Sequence, residues 1–239
     1  MNLSRRLGSE CVGSLVLTAV VIGSGIMGER LSDGNAAMAL LANTGATAAI
    51  LFVLITAFTP VSGAHFNPAV TLVMALRREL GPADAVLYVL MQIIGCVAGA
   101  ALAHALFELP LVQISTHARA GGAQMLSEGA ATFALVACIL LVSRSRPDAV
   151  PAAVALTIAA GYWWTSSTSF ANPAITIARA LSDTFAGIRP QDAPDFVVAQ
   201  FVGATAAWGA CTWLYRLPAR AAQAVTTAAA TRSVSESGG

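Results

Sequence analysis

Charge is scarce in this chain, and lysine is missing altogether. Only 10% of the 239 residues are charged, the thirteen basic ones are all Arg, and the net charge is +1. A soluble globular domain carries roughly a quarter charged residues, so that class is excluded. The absence of Lys reads as a mark of a GC-rich genome rather than as chemistry. No basic run is present to hold nucleic acid. The four cysteines, Cys11, Cys96, Cys138 and Cys211, lie far apart in apolar stretches and read as small buried hydrophobes. No metal or cofactor is expected, and no nucleophile, base or metal constellation supports an enzyme.

What is abundant is apolar sequence, 56% of the chain, with a mean hydropathy of +0.72. A bilayer core of roughly 30 Å takes about 20 apolar residues per helix, so the length allows about six spans. They are expected near residues 7–27, 35–59 (ending at Pro60), 82–107, 125–142, 149–164 and 196–214. The short basic start runs into the first apolar segment with no small-residue cleavage site, and that segment is expected to be a retained span. Residues 218–239 are mostly Ala, Thr, Ser and Gly with little to bury, and a disordered tail is expected there.

Two further apolar segments are too short to cross. Asn67-Pro68-Ala69 and Asn172-Pro173-Ala174 open ten-residue stretches that match at Asn, Pro, Ala, Thr, Ala and Leu. Each is a good helix start: Asn caps free N–H groups, and Pro at the first helical position has no N–H to leave unpaired. At membrane depth such a start is tolerated only where freed backbone is buried in protein or lines a watery path.

The chain also repeats itself. Ser9-Glu10 answers Ser127-Glu128, and Gln92-Ile93-Ile94-Gly95 answers Gln200-Phe201-Val202-Gly203. Two units, about 7–107 and 123–217, each hold three spans and one half-helix. An odd number of crossings inverts the second unit, so the half-helices enter from opposite sides and meet N-terminus to N-terminus near the midplane. Placing both termini in the cytoplasm puts nine Arg inside and four outside, as the positive-inside rule prefers. An inner-membrane, multi-pass location is expected.

The doubled motif resembles the signature of the aquaporin, or major intrinsic protein, family, and Ser62-Gly63-Ala64-His65-Phe66-Asn67-Pro68-Ala69-Val70-Thr71 is similar to the family's first motif. The resemblance implies an all-α membrane protein of the aquaporin fold over residues 1–217. It would have six transmembrane helices and two re-entrant half-helices in an inverted repeat, be a homotetramer in the lipid bilayer, and pass water and small uncharged solutes passively. It also implies that Glu10 and Glu128 brace the re-entrant loops and that His65 is structural. Without the resemblance, the two acids equally suit proton or ion coupling in a secondary transporter.

The resemblance further implies an outer selectivity filter of four positions, which by spacing from the two Asn residues are Thr47, Ala160, Ser169 and Ile175. Water channels of the family place an aromatic, a His and an Arg there, and glycerol channels two aromatics and the Arg. None of these is at the four positions. Ile175 stands where the Arg would be, and Arg179, about 6 Å further along a helix, is not expected to replace it. A wide, less polar pore follows, passing glycerol-like polyols. The segment from Ala171 to Ile188 is similar to an arsenic-associated bacterial subgroup, which adds arsenous acid or methylarsenicals. The alternatives are a strict water channel and a transporter using Glu10 or Glu128.

Overall fold

The computed structural model describes residues 1–215, and the expected tail lies outside them. Helices α1 (Leu3–Leu31), α2 (Ala36–Ser62), α3 (Pro68–Leu76) and α4 (Pro82–Leu106) form the first half. Helices α5 (Gly122–Ser145), α6 (Val150–Trp164), α7 (Pro173–Arg179) and α8 (Ala193–Leu214) form the second. Five of them, α1, α2, α4, α5 and α8, are long and apolar enough to cross a membrane. At 15 residues α6 is about 22 Å long, short of a full bilayer core. The 3₁₀ turn Pro147–Ala149 extends it at one end.

The spanning helices are apolar on all sides, as buried or lipid-facing helices are. Phe52, Val53, Val86, Leu90, Ile94, Leu156, Val198, Val202 and Trp213 stand exposed on their outer faces. The core has two kinds of seam. Large residues such as Leu17, Ile22, Leu54, Leu135 and Val154 belong to the main packed cluster, whereas α1 meets α4, and α5 meets α8, backbone to backbone. A Cβ on Gly99 would run into the carbonyl of Leu15, and one on Gly203 into that of Gly129. Small residues there let apolar helices approach closely.

Element boundaries differ from expectation where backbone groups find unforeseen partners. Helix α2 does not stop at Pro60 but runs to Ser62, where Gly63, at φ 87°, donates its N–H to the Thr59 carbonyl and ends it. Pro60 lies in the final turn, so it interrupts only one rung. The segment 108–121 is pinned rather than free. Gln113 and Ser115 donate backbone N–H groups to the Leu181 and Ala180 carbonyls, and the buried His104 ring bonds the Leu111 carbonyl and the Ser182 hydroxyl, each at 2.9 Å. His104 carried no signal in the sequence.

Candidate functional site: a pore between two half-helices

Both half-helices start as the sequence predicts. The Asn67 Oδ1 accepts from the Ala69 N–H at 2.9 Å, and the Asn172 Oδ1 from Ala174 and Ile175 at 3.0 and 3.3 Å. Pro68 and Pro173 take the first helical position. Each amide also reaches across the junction: Asn67 Nδ2 donates to the Ala171 carbonyl at 2.7 Å, and Asn172 Nδ2 to the Phe66 carbonyl at 2.8 Å. A primary amide has two N–H donors. The second on each Asn has no protein acceptor among the described residues, and both side chains line the central cavity.

Reaching this junction forces the loops into unusual backbone. Ala64 and Phe66 on one side, and Ser169 and Ala171 on the other, have φ of 52°, 48°, 54° and 47°. Such conformations cost non-glycine residues about 1–3 kcal/mol each and persist only where surroundings fix them. Two buried carboxylates do so. Glu10 accepts from the Ser62 hydroxyl (2.6 Å), the His65 and Phe66 N–H groups (3.0 and 2.7 Å) and Gln92 Nε2 (2.8 Å). Glu128 accepts from the Ser167 hydroxyl (2.5 Å), the Phe170 and Ala171 N–H groups (2.9 Å each) and Gln200 Nε2 (2.6 Å). Four donors fill a carboxylate's acceptor capacity, leaving none for a coupling ion.

The same amides extend the brace. Gln92 also donates to the Thr71 hydroxyl, and Gln200 to that of Thr176, each at 2.9 Å. Gln92, Gln200, Ser62, Ser167, Thr71 and Thr176 were not singled out as site residues. The signal available was the repeat itself, which aligned both glutamines and both threonines. His65 bonds Thr71 at 3.1 Å through Nδ1 and packs against Tyr88, with ring centroids 5.3 Å apart.

A cavity of about 560 Å³ runs from Glu79 and Asp148 at the face carrying the N-terminus, past Asn67 and Asn172, to Thr47, Tyr162, Ser169 and Arg179. Leu17, Val21, Leu51, Ile55, Val70, Leu135, Val154, Ile158 and Ile175 give it largely apolar walls. Of the four expected filter positions, Thr47, Ser169 and Ile175 line it.

Ala160 does not: it lies on the exposed face of α6. Two residues along a helix turn the side chain by about 200°, so Ile158 and Tyr162 face the cavity instead. The Tyr162 phenol lies 3.1 Å from the Thr47 hydroxyl, and Gly161 gives Ser169 its room, since a Cβ there would stand 2.5 Å from the Ser169 hydroxyl. The end of the cavity away from the N-terminal face therefore does hold an aromatic residue. Counting back twelve residues from Asn172 lands on Ala160, two residues before it in the chain and on the opposite face of α6. Arg179, which was not expected to matter here, lines the same end.

The segment 108–121 is bonded to the loop that follows α7 and to the start of α8. Thr116 donates its N–H and hydroxyl to Asp183 at 2.7 and 2.9 Å, and Arg119 its N–H to Asp192 at 2.8 Å. These bonds hold the Asp183 carboxyl below the usual range. Asp192 is also lowered, first by the hydrogen bond from Arg189. No group of three or more metal-ligating side chains occurs among the described residues.

Five membrane-crossing helices with the shorter α6 beside them, two half-helices meeting at paired Asn residues and a cavity through the junction define a membrane channel. The family model for major intrinsic proteins matches residues 1–162. The chain is 52% identical over 219 residues to aquaglyceroporin AqpS of Rhizobium meliloti (strain 1021), covering 92% of this chain and 93% of that protein. It is 34% identical over 105 residues to the probable aquaporin PIP2-8 of Oryza sativa subsp. japonica, covering 44% of this chain and 37% of that one. Among solved structures, the aquaglyceroporin from Plasmodium falciparum matches with a TM-score of 0.67 at 16% identity, over 87% of this chain and 95% of that one, which is a likeness of fold.

The chain belongs to the major intrinsic protein family. It is a multi-pass membrane channel for water and small solutes, not an enzyme.

Proposed function

We propose that this channel passes water and small neutral polyols such as glycerol, with arsenous acid and methylarsenicals among its solutes, passively and in both directions. The observation that carries the reading is the outer end of the cavity. Thr47, Ser169 and Ile175 put only small or aliphatic side chains there, and the Thr47 and Tyr162 hydroxyls offer a polar edge along which a hydroxylated solute exchanges water for protein partners. The 52% identity to a protein named an aquaglyceroporin supports the same solute class. Arsenous acid is neutral at pH 7 and presents hydroxyls as glycerol does.

Midway, the second N–H of Asn67 and of Asn172 donates to each passing oxygen. Pro68, Ala69, Pro173 and Ala174 hold the two helix starts that aim them. Glu10, Glu128 and His65 fix the loops. The helix N-termini add positive potential and no oxygen ligands, which disfavours cations.

Both termini face the cytoplasm in this reading, and the inner membrane is the location. Four protomers assemble, each with its own pore. Residues 1–217 form the channel, in repeats of about 7–107 and 123–217.

Stopped-flow light scattering of proteoliposomes tests the solute class against protein-free vesicles. Fast entry of water, glycerol and arsenous acid is expected. Water entry alone would leave a strict water channel.

A further inference from the structure

We infer that Arg179 is the fixed positive charge of the outer constriction, supplied from one turn beyond Ile175, and that its terminal nitrogens are the donors a hydroxylated solute meets there. The inference rests on the solute class proposed above for this site.

Arg179 ends α7 and is only 3% exposed, yet it lines the cavity. The internal repeat places it in register with Met74 of the first half, which also lines the cavity, as do the paired Val70 and Ile175. The position therefore faces the pore in both halves, and only the second half puts a charge there.

An Arg can reach back a full turn because helical side chains lean toward the N-terminus of their helix. This one does. Its Cζ lies 3.3 Å from the ring centroid of Phe170, a residue that precedes α7 altogether. Its Nε donates to the Ala186 carbonyl, which fixes the plane of the guanidinium. Among the described residues no carboxylate pairs with it, and its two terminal nitrogens have no protein acceptor. Neither is among the sealed polar atoms without a partner, which are confined to Ser14, Thr18, Gln92, Gln124 and Gln200. They open onto the cavity.

Arg119, whose Cζ lies 5.1 Å from the same Phe170 ring centroid, is different. Its nitrogens donate to the Gly187, Ser167 and Phe185 carbonyls, and it does not line the cavity. One guanidinium of the pair holds the loops, and the other is left for solute.

A guanidinium stays charged at any physiological pH. Held in the lining of the cavity without a counter-charge, it repels cations and offers a planar pair of donors to neutral hydroxyls. The loss of an Arg at position 175 therefore does not leave the pore uncharged.

The test compares the native chain, Arg179→Met and Ile175→Arg/Arg179→Met in proteoliposomes, reading potassium and proton flux with voltage- and pH-sensitive dyes. Folding is judged separately by size-exclusion elution and helical circular dichroism. Native vesicles are expected to stay at the protein-free background, Arg179→Met to rise about tenfold above it, and the double variant to fall back. A folded Arg179→Met at background overturns the inference, and so does a double variant that stays leaky.

Should Arg179→Met not fold, Arg179→Lys keeps the charge and loses the planar fork. Its ion flux is expected to stay at background while its glycerol-to-water permeability ratio shifts about tenfold, as loss of one hydrogen bond from a charged donor predicts. An unchanged ratio overturns the inference. A native chain that passes water and no glycerol would instead remove the proposed solute class, and the ion arm would still judge the charge.

Discussion

The phenol oxygen of Tyr162 lies 3.1 Å from the hydroxyl of Thr47, tying α6 to α2 across the outer end of the cavity. Both residues are buried and line the cavity there. Tyr162→Ala removes the ring and leaves the Thr47 hydroxyl facing open space. We expect permeability to larger polyols such as sorbitol to rise about tenfold over the native chain, and glycerol entry to rise much less. Stopped-flow measurement across a size series checks this. A parallel rise for all solutes would place the narrowest point elsewhere.

Glu10 and Glu128 each receive four donors with no acceptor capacity to spare. A Gln in either place keeps the shape but presents an amide NH₂ to two backbone N–H groups and a Gln amide nitrogen that can only donate, with the Ser hydroxyl alone able to accept. Charged hydrogen bonds are worth about 1.5–3 kcal/mol each, so Glu10→Gln and Glu128→Gln should each lose about 3 kcal/mol or more of stability. Thermal unfolding in detergent reads the loss. The two sites should respond alike, because their donor sets match residue for residue. A proton-coupled transporter would instead keep its stability and lose pH dependence of transport.

Much of this was legible in the chain. The half-helix starts follow from Asn and Pro chemistry, and the inversion from counting three crossings per repeat. The boundary at Pro60 was not, because a proline ends a helix in sequence logic but is tolerated in a last turn that Gly63 closes. Nor was the face of α6: a count back from Asn172 fixes the distance along the chain, whereas the two-residue step from Ala160 to Tyr162 turns the helix by about 200° and puts the first outward and the second inward. Arg179 was set aside on rise per residue alone. Its reach depends on side-chain direction and on Phe170, neither of which a spacing rule carries.

The segment 108–121 should loosen in acid. Asp183 and Asp192 have folded pKa values below their unfolded ones. Their contribution is therefore complete above the unfolded value of about 3.9 and is lost as pH falls through the folded values. Hydrogen exchange at the Thr116 and Arg119 amides, which donate to these carboxylates, should show constant protection from pH 7 down to about 5. Protection should then drop below about pH 4, after correction for intrinsic exchange. Protection that declines across the neutral range would point to a histidine instead.

Helix seams and helix surfaces should answer glycine substitutions oppositely. Gly99→Val and Gly203→Val drive side chains into the Leu15 and Gly129 carbonyls, which are backbone and cannot move aside. Overpacking of this kind costs about 1–3 kcal/mol or more, and loss of folded protein is expected on size-exclusion. Gly45 and Gly209 lie within α2 and α8 with open space around them. Ala at either should be neutral or stabilising by up to about 1 kcal/mol, since Gly is the poorer helix former. Equal tolerance at all four would mean that the helices do not meet where the glycines place them.

Ile175→Arg tests the width of the pore from the other direction. Ile175 is buried and lines the cavity at the same end as Arg179, whose guanidinium already leans back along α7 toward Phe170. A second guanidinium one turn earlier fills apolar volume and sets two like charges close together, so both must stay hydrated or find carbonyls. Water is small enough to share the remaining space, whereas glycerol and arsenous acid are not. We expect glycerol and arsenous acid permeability to fall about tenfold while water permeability falls less than about threefold, and cation flux to stay at background. All three permeabilities falling together would mean collapse of the site rather than narrowing, and helical circular dichroism would distinguish the two. Unchanged glycerol entry would show that position 175 does not bound the path, and the width proposed from Thr47, Ser169 and Ile175 would have to be withdrawn.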